Sequence, residues 1–251
     1  MIGPEALPGD LLTTLRLPPA MSAMRMPGYE AAVWRAELSD GRTVAVRLLR
    51  RGVPGDTELM ALRVAADLGQ PAPAVVAHGQ WDGRDAIVSA WCAGRSMGEL
   101  LEDGGDPWAL GTLMGRAQAG LHKPAADGRV LCHLDFQPFN IVVLDDAITG
   151  IVDWGNAALT DRRHDLAWTT VVLDLAPALL PELVPIIDAF GAAWRDGYRQ
   201  LRELPPEGEL RPFLADAAAK QLSDWAPRAA AGECPASVAD AARAVEARWS
   251  D

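Results

Sequence analysis

The chain has 251 residues, enough to bury a large core and to hold two lobes of one catalytic unit. Hydrophobic residues make up 49% and charged residues 23%, the composition of an ordinary soluble globular protein. The formal net charge of −11 speaks against nucleic-acid or anionic membrane partners, because polyanion binding rests on cationic patches, and it is compatible with a cationic small molecule.

The opening MIGPEALPGDLL lacks a basic segment followed by an apolar run. No apolar stretch approaches the roughly 20 residues that span a bilayer, so the expectation is a cytoplasmic protein. Cys92, Cys132 and Cys234 are odd in number and form no C-x-x-C pair, which fits a reducing compartment and argues against a zinc site. Apolar packing is the default reading for each.

Taken in chain order, residues 29 to 38 (YEAAVWRAEL) and 42 to 49 (RTVAVRLL) read as two strands. Ser39-Asp40-Gly41 between them is a hairpin signal. Residues 55 to 68 carry apolar positions Leu59, Leu62, Val64, Ala65 and Leu68, a helical stripe that stops at Gly69. Residues 74 to 78 and 85 to 91 read as further strands, and Ser89 to Ala93 as a hinge followed by Gly94.

From Ser96 the pattern turns helical, with helices expected at 97 to 101 and 108 to 122. Ile141 to Leu144 and Ile148 to Val152 read as two short strands joined through an acidic turn at Asp145-Asp146. Helices follow near 163 to 175, 181 to 200, 209 to 225 and 235 to 249, the last ones separated by Pro205-Pro206 and the Ala-Gly run at 229 to 232. Trp168 and Trp194 fall in apolar helical patterns and are expected to pack.

The most specific chemistry lies in residues 131 to 155, LCHLDFQPFNIVVLDDAITGIVDWG. A hydroxyl attacking a γ-phosphate needs an acceptor for its proton, and Asp135, on a loop, supplies a carboxylate. The phosphates need Mg²⁺, a hard cation that takes oxygen ligands and few carboxylates. Asn140 opens one short strand and Asp153 closes the other, so pairing of those strands is expected to bring both oxygens to one mouth.

HLDFQPFN matches the H-x-D-x-x-x-x-N catalytic loop of aminoglycoside phosphotransferase and choline kinase-like enzymes, and DWG stands where protein kinases have D-F-G. Asp161 to Ala167 resembles the D-P-x-x-D-L-A segment of those enzymes. Leu134 replaces the Arg of the protein-kinase H-R-D, which points to the small-molecule branch.

The resemblance runs from about residue 24 to about 175. It implies an α+β, bilobal protein kinase-like fold: residues 1–92 as an N-lobe with a small antiparallel sheet and one main helix, and 93–251 as a larger, mostly helical C-lobe. It further implies Arg47 in place of the usual third-strand Lys, paired with Glu58 on the following helix. A guanidinium can bind phosphate oxygens bidentately. Gly28 stands in a reduced phosphate-covering loop, and the hinge around Ala90 and Cys92 takes the adenine through backbone groups. His133 and Asp165 support the loop, and Mg²⁺ and ATP (or GTP) are the implied cofactor and co-substrate.

The expected activity is therefore Mg-dependent transfer of a nucleotide γ-phosphate to a hydroxyl of a small molecule, an antibiotic of the aminoglycoside or macrolide kind being favoured. Asp174, Glu182, Asp188 and Asp196 lie along two predicted helices and could face a cationic acceptor, with Asp224 and Trp225 as further candidates. Two other readings compete. A nucleotide-binding pseudokinase draws on Arg47 and the poor glycine loop. A His-Asp metal phosphohydrolase draws on His164-Asp165, but few histidines remain to complete its site.

Overall fold

A computed structural model describes residues 6–26 and 31–250. The chain divides into two compact units, Met1–Ala93 with Thr149–Gly155, and Gly94–Ile148 with Asn156–Asp251.

The first unit begins with a single helical turn, α1 (Leu11–Thr14), followed by strands β1 (Ala20–Met26), β2 (Ala31–Leu38) and β3 (Thr43–Leu49). Helix α2 (Asp56–Asp67) precedes β4 (Val75–Trp81) and β5 (Arg84–Ala90). The five strands form one antiparallel sheet in the order β1-β2-β3-β5-β4. On β2 and β3, alternate residues Trp34, Ala36, Val44, Val46 and Leu48 are buried and join Leu11, Leu12 and Val88 in one apolar core. This is the period-two pattern of a half-buried sheet.

Helix α2 buries Glu58, Ala61, Leu62 and Ala65, the i, i+3, i+4, i+7 face of an amphipathic helix. The backbone N–H of Gly55, just before it, donates to Asp85 Oδ2 at 2.7 Å. Two contacts fasten the late segment to the rest of this unit, and a third braces it internally. Ile151 N donates to Pro71 O at 2.7 Å, Thr149 Oγ1 donates to Ala93 O at 2.5 Å, and the fully buried Trp154 donates through Nε1 to Ile151 O at 2.7 Å.

The second unit opens with β6 (Arg95–Ser96) and α3 (Met97–Glu102). Ser96 caps α3 through its hydroxyl on Glu99 N while Glu99 reaches back to Ser96 N, a reciprocal capping box. Helix α4 (Pro107–Leu121) starts with Asp106 accepting from Trp108 N and Pro107 in the first turn, where its missing N–H costs nothing. Then come β7 (Val130–Cys132), β8 (Ile141–Leu144), β9 (Ala147–Ile151), β10 (Ala158–Thr160), α5 (Arg162–Leu179), α6 (Val184–Arg199), α7 (Glu207–Ala230) and α8 (Ala236–Ser250). β7 pairs with β10, and β8 lies between β6 and β9.

Helices α5, α7 and α8 share an apolar core that includes Val171, Leu214, Ala218, Ala242 and Trp249. Helices α4 and α6 meet along glycines. A Cβ at Gly111 would lie 2.5 Å from Phe190 O, and one at Gly115 or Gly197 would collide with the backbone of Trp194 or Thr112. Small residues let two helix backbones approach this closely, and no larger side chain fits the seam.

The strands expected at 29 to 38 (described from Ala31), 42 to 49 and 85 to 91 and the seven expected helices are present with shifted ends. The strand expected at 74 to 78 runs on to Trp81. β1, β6, β7 and β10 carry no signal strong enough to be read from the sequence. This is the α+β fold of protein kinase-like phosphotransferases, an antiparallel five-stranded sheet with a mostly helical C-terminal part. Among the described residues no single helix is long and apolar enough to cross a membrane.

Candidate active site

In the second unit β7 delivers the chain to His133, which is fully buried with its ring edge-on to Phe136 at 5.9 Å between centroids. Leu134 follows at φ 59°, a left-handed conformation that is costly for a branched side chain and tends to persist where surrounding contacts enforce it. The enforcing contact is visible: Leu134 N donates to Asp165 Oδ1 at 2.6 Å.

The turn places Asp135 half-buried among three side-chain donors. Gln137 Nε2 and Trp168 Nε1 donate to its Oδ1 at 3.0 and 3.2 Å. Asn140 Nδ2 donates to its Oδ2 at 2.8 Å and to its backbone carbonyl at 2.9 Å. Donors on both oxygens fix the plane of the carboxylate.

Asp165, in the first turn of α5, is completely buried. Its Oδ2 accepts from Gln118 Nε2 at 3.1 Å and lies 3.0 Å from His122 Nε2. The network extends outward, with His122 Nδ1 2.8 Å from Tyr198 Oη and Trp194 Nε1 donating to Gln118 Oε1 at 2.8 Å. Thr169 Oγ1 donates to the carbonyl of Phe136 at 2.9 Å. Burial pushes the Asp165 carboxyl up, but the His122 hydrogen bond, the charges of His122 and His133 and the Leu134 N–H together outweigh it and hold the group below the ordinary carboxylate value.

In the first unit Arg47, on β3, makes two ion pairs: Nε lies 3.4 Å from Glu58 Oε2, and Nη2 donates to Asp153 Oδ1 at 3.0 Å. Glu58 is almost wholly buried. Burial raises its carboxyl above the ordinary value, Arg47 opposes the rise, and the negative charge of Asp153 adds to it. Asp153 itself sits at φ 66°.

Ala90 N donates to Ala74 O at 2.8 Å and Trp91 N to Thr43 O at 3.1 Å. The side chain of Cys92 lies against Gly150, where any Cβ would collide with its sulfur, and burial raises its thiol. Cys132, buried with its thiol also raised, has the character of an inert packing cysteine. Gly28 lies outside the described residues.

Mg²⁺ takes hard oxygen ligands. With its amide nitrogen committed to Asp135, Asn140 keeps Oδ1 for such an ion; with Oδ1 on Arg47, Asp153 keeps Oδ2. The donor chemistry fits. Among the described residues there is no group of three or more His, Cys, Asp or Glu side chains able to hold a metal.

Residues 122–204, which contain Asp135, Asn140, Asp153 and Asp165, match the model described as phosphotransferase enzyme family. This segment resembles that family. Solved phosphotransferases have the same fold. A thermostable mutant of aminoglycoside phosphotransferase APH(4)-Ia, in ternary complex with AMP-PNP and hygromycin B, aligns with a TM-score of 0.66 at 14% identity, over 96% of this chain and 95% of that one. Macrolide 2'-phosphotransferase MphH from Brachybacterium faecium aligns at 0.58 and 17% identity, over 94% and 97%. The ethanolamine kinase Pv091845 of Plasmodium vivax aligns at 0.61 and 9%, over 91% and 81%. No curated protein matches this chain in sequence.

Sequence reasoning missed the residues that surround Asp135 and Asp165. Gln137 and Trp168 reach Asp135, while Gln118, His122 and Tyr198 form the Asp165 network. Trp168 was expected only to pack, yet its indole N–H is spent on the carboxylate. Three of the helical acids considered for a cationic acceptor have local partners. Asp174 Oδ2 accepts from Trp249 Nε1 at 3.1 Å and pairs with Arg248. Asp196 pairs with Arg199 and Asp224 with Lys220.

Proposed function

We propose that this phosphotransferase is a kinase that moves the γ-phosphate of ATP to a hydroxyl of a small molecule, an antibiotic or antibiotic-like compound. The observation that carries the reading is the Asp135 carboxylate, held by donors on both oxygens inside the segment that matches the family. In this reading Asp135 orients the acceptor hydroxyl and takes its proton as the new P–O bond forms. Asp165 acts on the loop, through Leu134 N. Asn140 and Asp153 hold Mg²⁺, which when bound neutralises charge on the phosphates.

Arg47, paired with Glu58, aligns the phosphates. Backbone groups around Ala90 and Cys92 receive the adenine, and Gly28 turns the phosphate-covering loop. The aligned structures hold AMP-PNP and hygromycin B in one case and are named for a macrolide and for ethanolamine in others. These names support a nucleotide donor and a hydroxyl-bearing acceptor.

A nucleotide-binding pseudokinase is the second reading. It is favoured by the 3.0 Å bond between Arg47 and Asp153, which occupies one oxygen of a candidate metal ligand. ADP release with Mg-ATP, measured across aminoglycosides, macrolides, choline and homoserine, separates the two. Turnover that falls by about 10²- to 10⁴-fold in Asp135→Asn, with nucleotide affinity retained, is the expected result. Nucleotide binding without turnover on any acceptor would favour the pseudokinase.

A further inference from the structure

The second unit holds a cavity of ≈ 100 Å³ between α3, the catalytic loop, α5 and α6. Its walls are apolar: Leu101, Phe139, Val172, Ala176, Ile187 and Phe190. The polar side chains at its edge are few. Glu102 is one, and Gln137 is another, the same Gln137 whose amide donates to Asp135 Oδ1 at 3.0 Å. The cavity thus abuts a residue in direct contact with the proposed base. Gly98 helps to make the wall, because the Phe139 ring lies where its Cβ would be.

Size and chemistry constrain the occupant. Dry apolar cavities of about 150 Å³ take up single aromatic rings, so ≈ 100 Å³ suits one apolar group of that order. A polycation gains nothing from such walls, since a charge buried without a partner is strongly disfavoured. Three of the acids on α5, α6 and α7 that could have drawn a cation, Asp174, Asp196 and Asp224, are paired with Arg248, Arg199 and Lys220, and of the residues that line the cavity Glu102 alone is charged.

We infer that this cavity is an acceptor subsite that takes an uncharged apolar group, so that the substrate is a hydroxyl compound with an apolar body, closer to a macrolide than to an aminoglycoside. The inference rests on the kinase reading above. With the apolar group seated beside Gln137, the hydroxyl is presented toward Asp135. The acceptor O–H bond gives its proton to the carboxylate, the oxygen forms a bond to the γ-phosphorus, and the bond to the β,γ-bridging oxygen breaks with its electron pair leaving on ADP.

Two measurements test it. The neutral fluorophore N-phenyl-1-naphthylamine is expected to bind the wild-type chain saturably, to be displaced by a macrolide and not by an aminoglycoside, and to lose binding in Ala176→Phe. In ADP-release assays Ala176→Phe and, independently, Ile187→Gln are expected to raise KM for a macrolide by roughly tenfold or more, the scale of a hydrophobic pocket contact. Circular dichroism melts check that each variant is folded.

No probe binding by the wild type overturns the subsite, as does a folded variant with unaltered macrolide KM, or displacement by the aminoglycoside alone. If the wild type turns over no acceptor at all, the kinase reading fails. The displacement arm then decides by itself whether the cavity selects an apolar ligand.

Discussion

Two buried carboxylates, Glu58 in the first unit and Asp165 in the second, are pushed in opposite directions by their surroundings. Both are nearly inaccessible, so desolvation acts to raise both. Glu58 has a single cationic neighbour, Arg47 at 3.4 Å, and a second carboxylate, Asp153, in the same cluster. Burial prevails there. Asp165 accepts from Leu134 N and Gln118 and lies against His122, and the accumulated donors prevail. Depth alone does not set the charge of a buried acid; the number of donors aimed at it does.

The sharpest way to break this comparison is Asp165→Asn. That change leaves His122 without its anionic partner, and whichever way the amide is turned its NH2 faces a donor that Asp165 accepts from, Leu134 N or Gln118 Nε2. The expected cost is about 3 kcal/mol or more in unfolding free energy, read by urea titration, together with loss of turnover. A change under about 1 kcal/mol would mean that the network tolerates a neutral centre.

The pH dependence separates the two acids by sign. The carboxyl of Asp165 is depressed in the folded state, so its stabilisation is present above the ordinary carboxylate range and is lost as pH falls through the depressed value. The carboxyl of Glu58 is raised, so its contribution is complete below the ordinary glutamate value and is lost as pH rises through the raised one. Urea midpoints collected between about pH 3 and pH 7 should show the alkaline-side decline removed in Glu58→Gln and the acid-side decline reduced in Asp165→Asn.

Glu58→Gln at neutral pH is expected to alter stability by no more than about 1 kcal/mol. It removes a carboxylate that burial already disfavours, while Arg47 keeps its bond to Asp153. The smallest effect is expected from Trp168→Phe, which removes one of the donors to Asp135 Oδ1 and leaves the ring packing. The turnover number should fall by about three- to tenfold with nucleotide KM unchanged, as steady-state kinetics would report. A rise in KM at constant turnover would assign Trp168 to binding.

What could be read from the sequence follows a physical division. α2 and the buried strands β2 and β3 announced themselves through apolar periodicity, because each has one face against a core. β1 did not. Four consecutive positions from Met21 to Met24 are exposed, so the strand exists by pairing with β2 at the sheet edge and leaves no alternation to detect. The chemistry of the catalytic loop was legible because Asp135 and Asn140 sit within one short turn. The partners of Asp165 were not, since Gln118, His122 and Tyr198 come from α4, its C-terminal end and α6 and meet only through tertiary packing. Arg47 and Glu58 were legible as a pair only through the family resemblance; that Arg47 also binds Asp153, 106 positions later, has no sequence signal.

The glycine seam between α4 and α6 limits how the acceptor subsite inferred above could be reshaped. From Phe190 to Gly197 the two helix backbones touch without intervening side chains, so α6 has no slack to slide or tilt there. The first turns of α6, with Ile187, and the facing stretch of α5, with Val172 and Ala176, lie beyond the seam. Selection for a bulkier or slimmer acceptor would therefore act on these few side chains, while the scaffold behind them stays fixed.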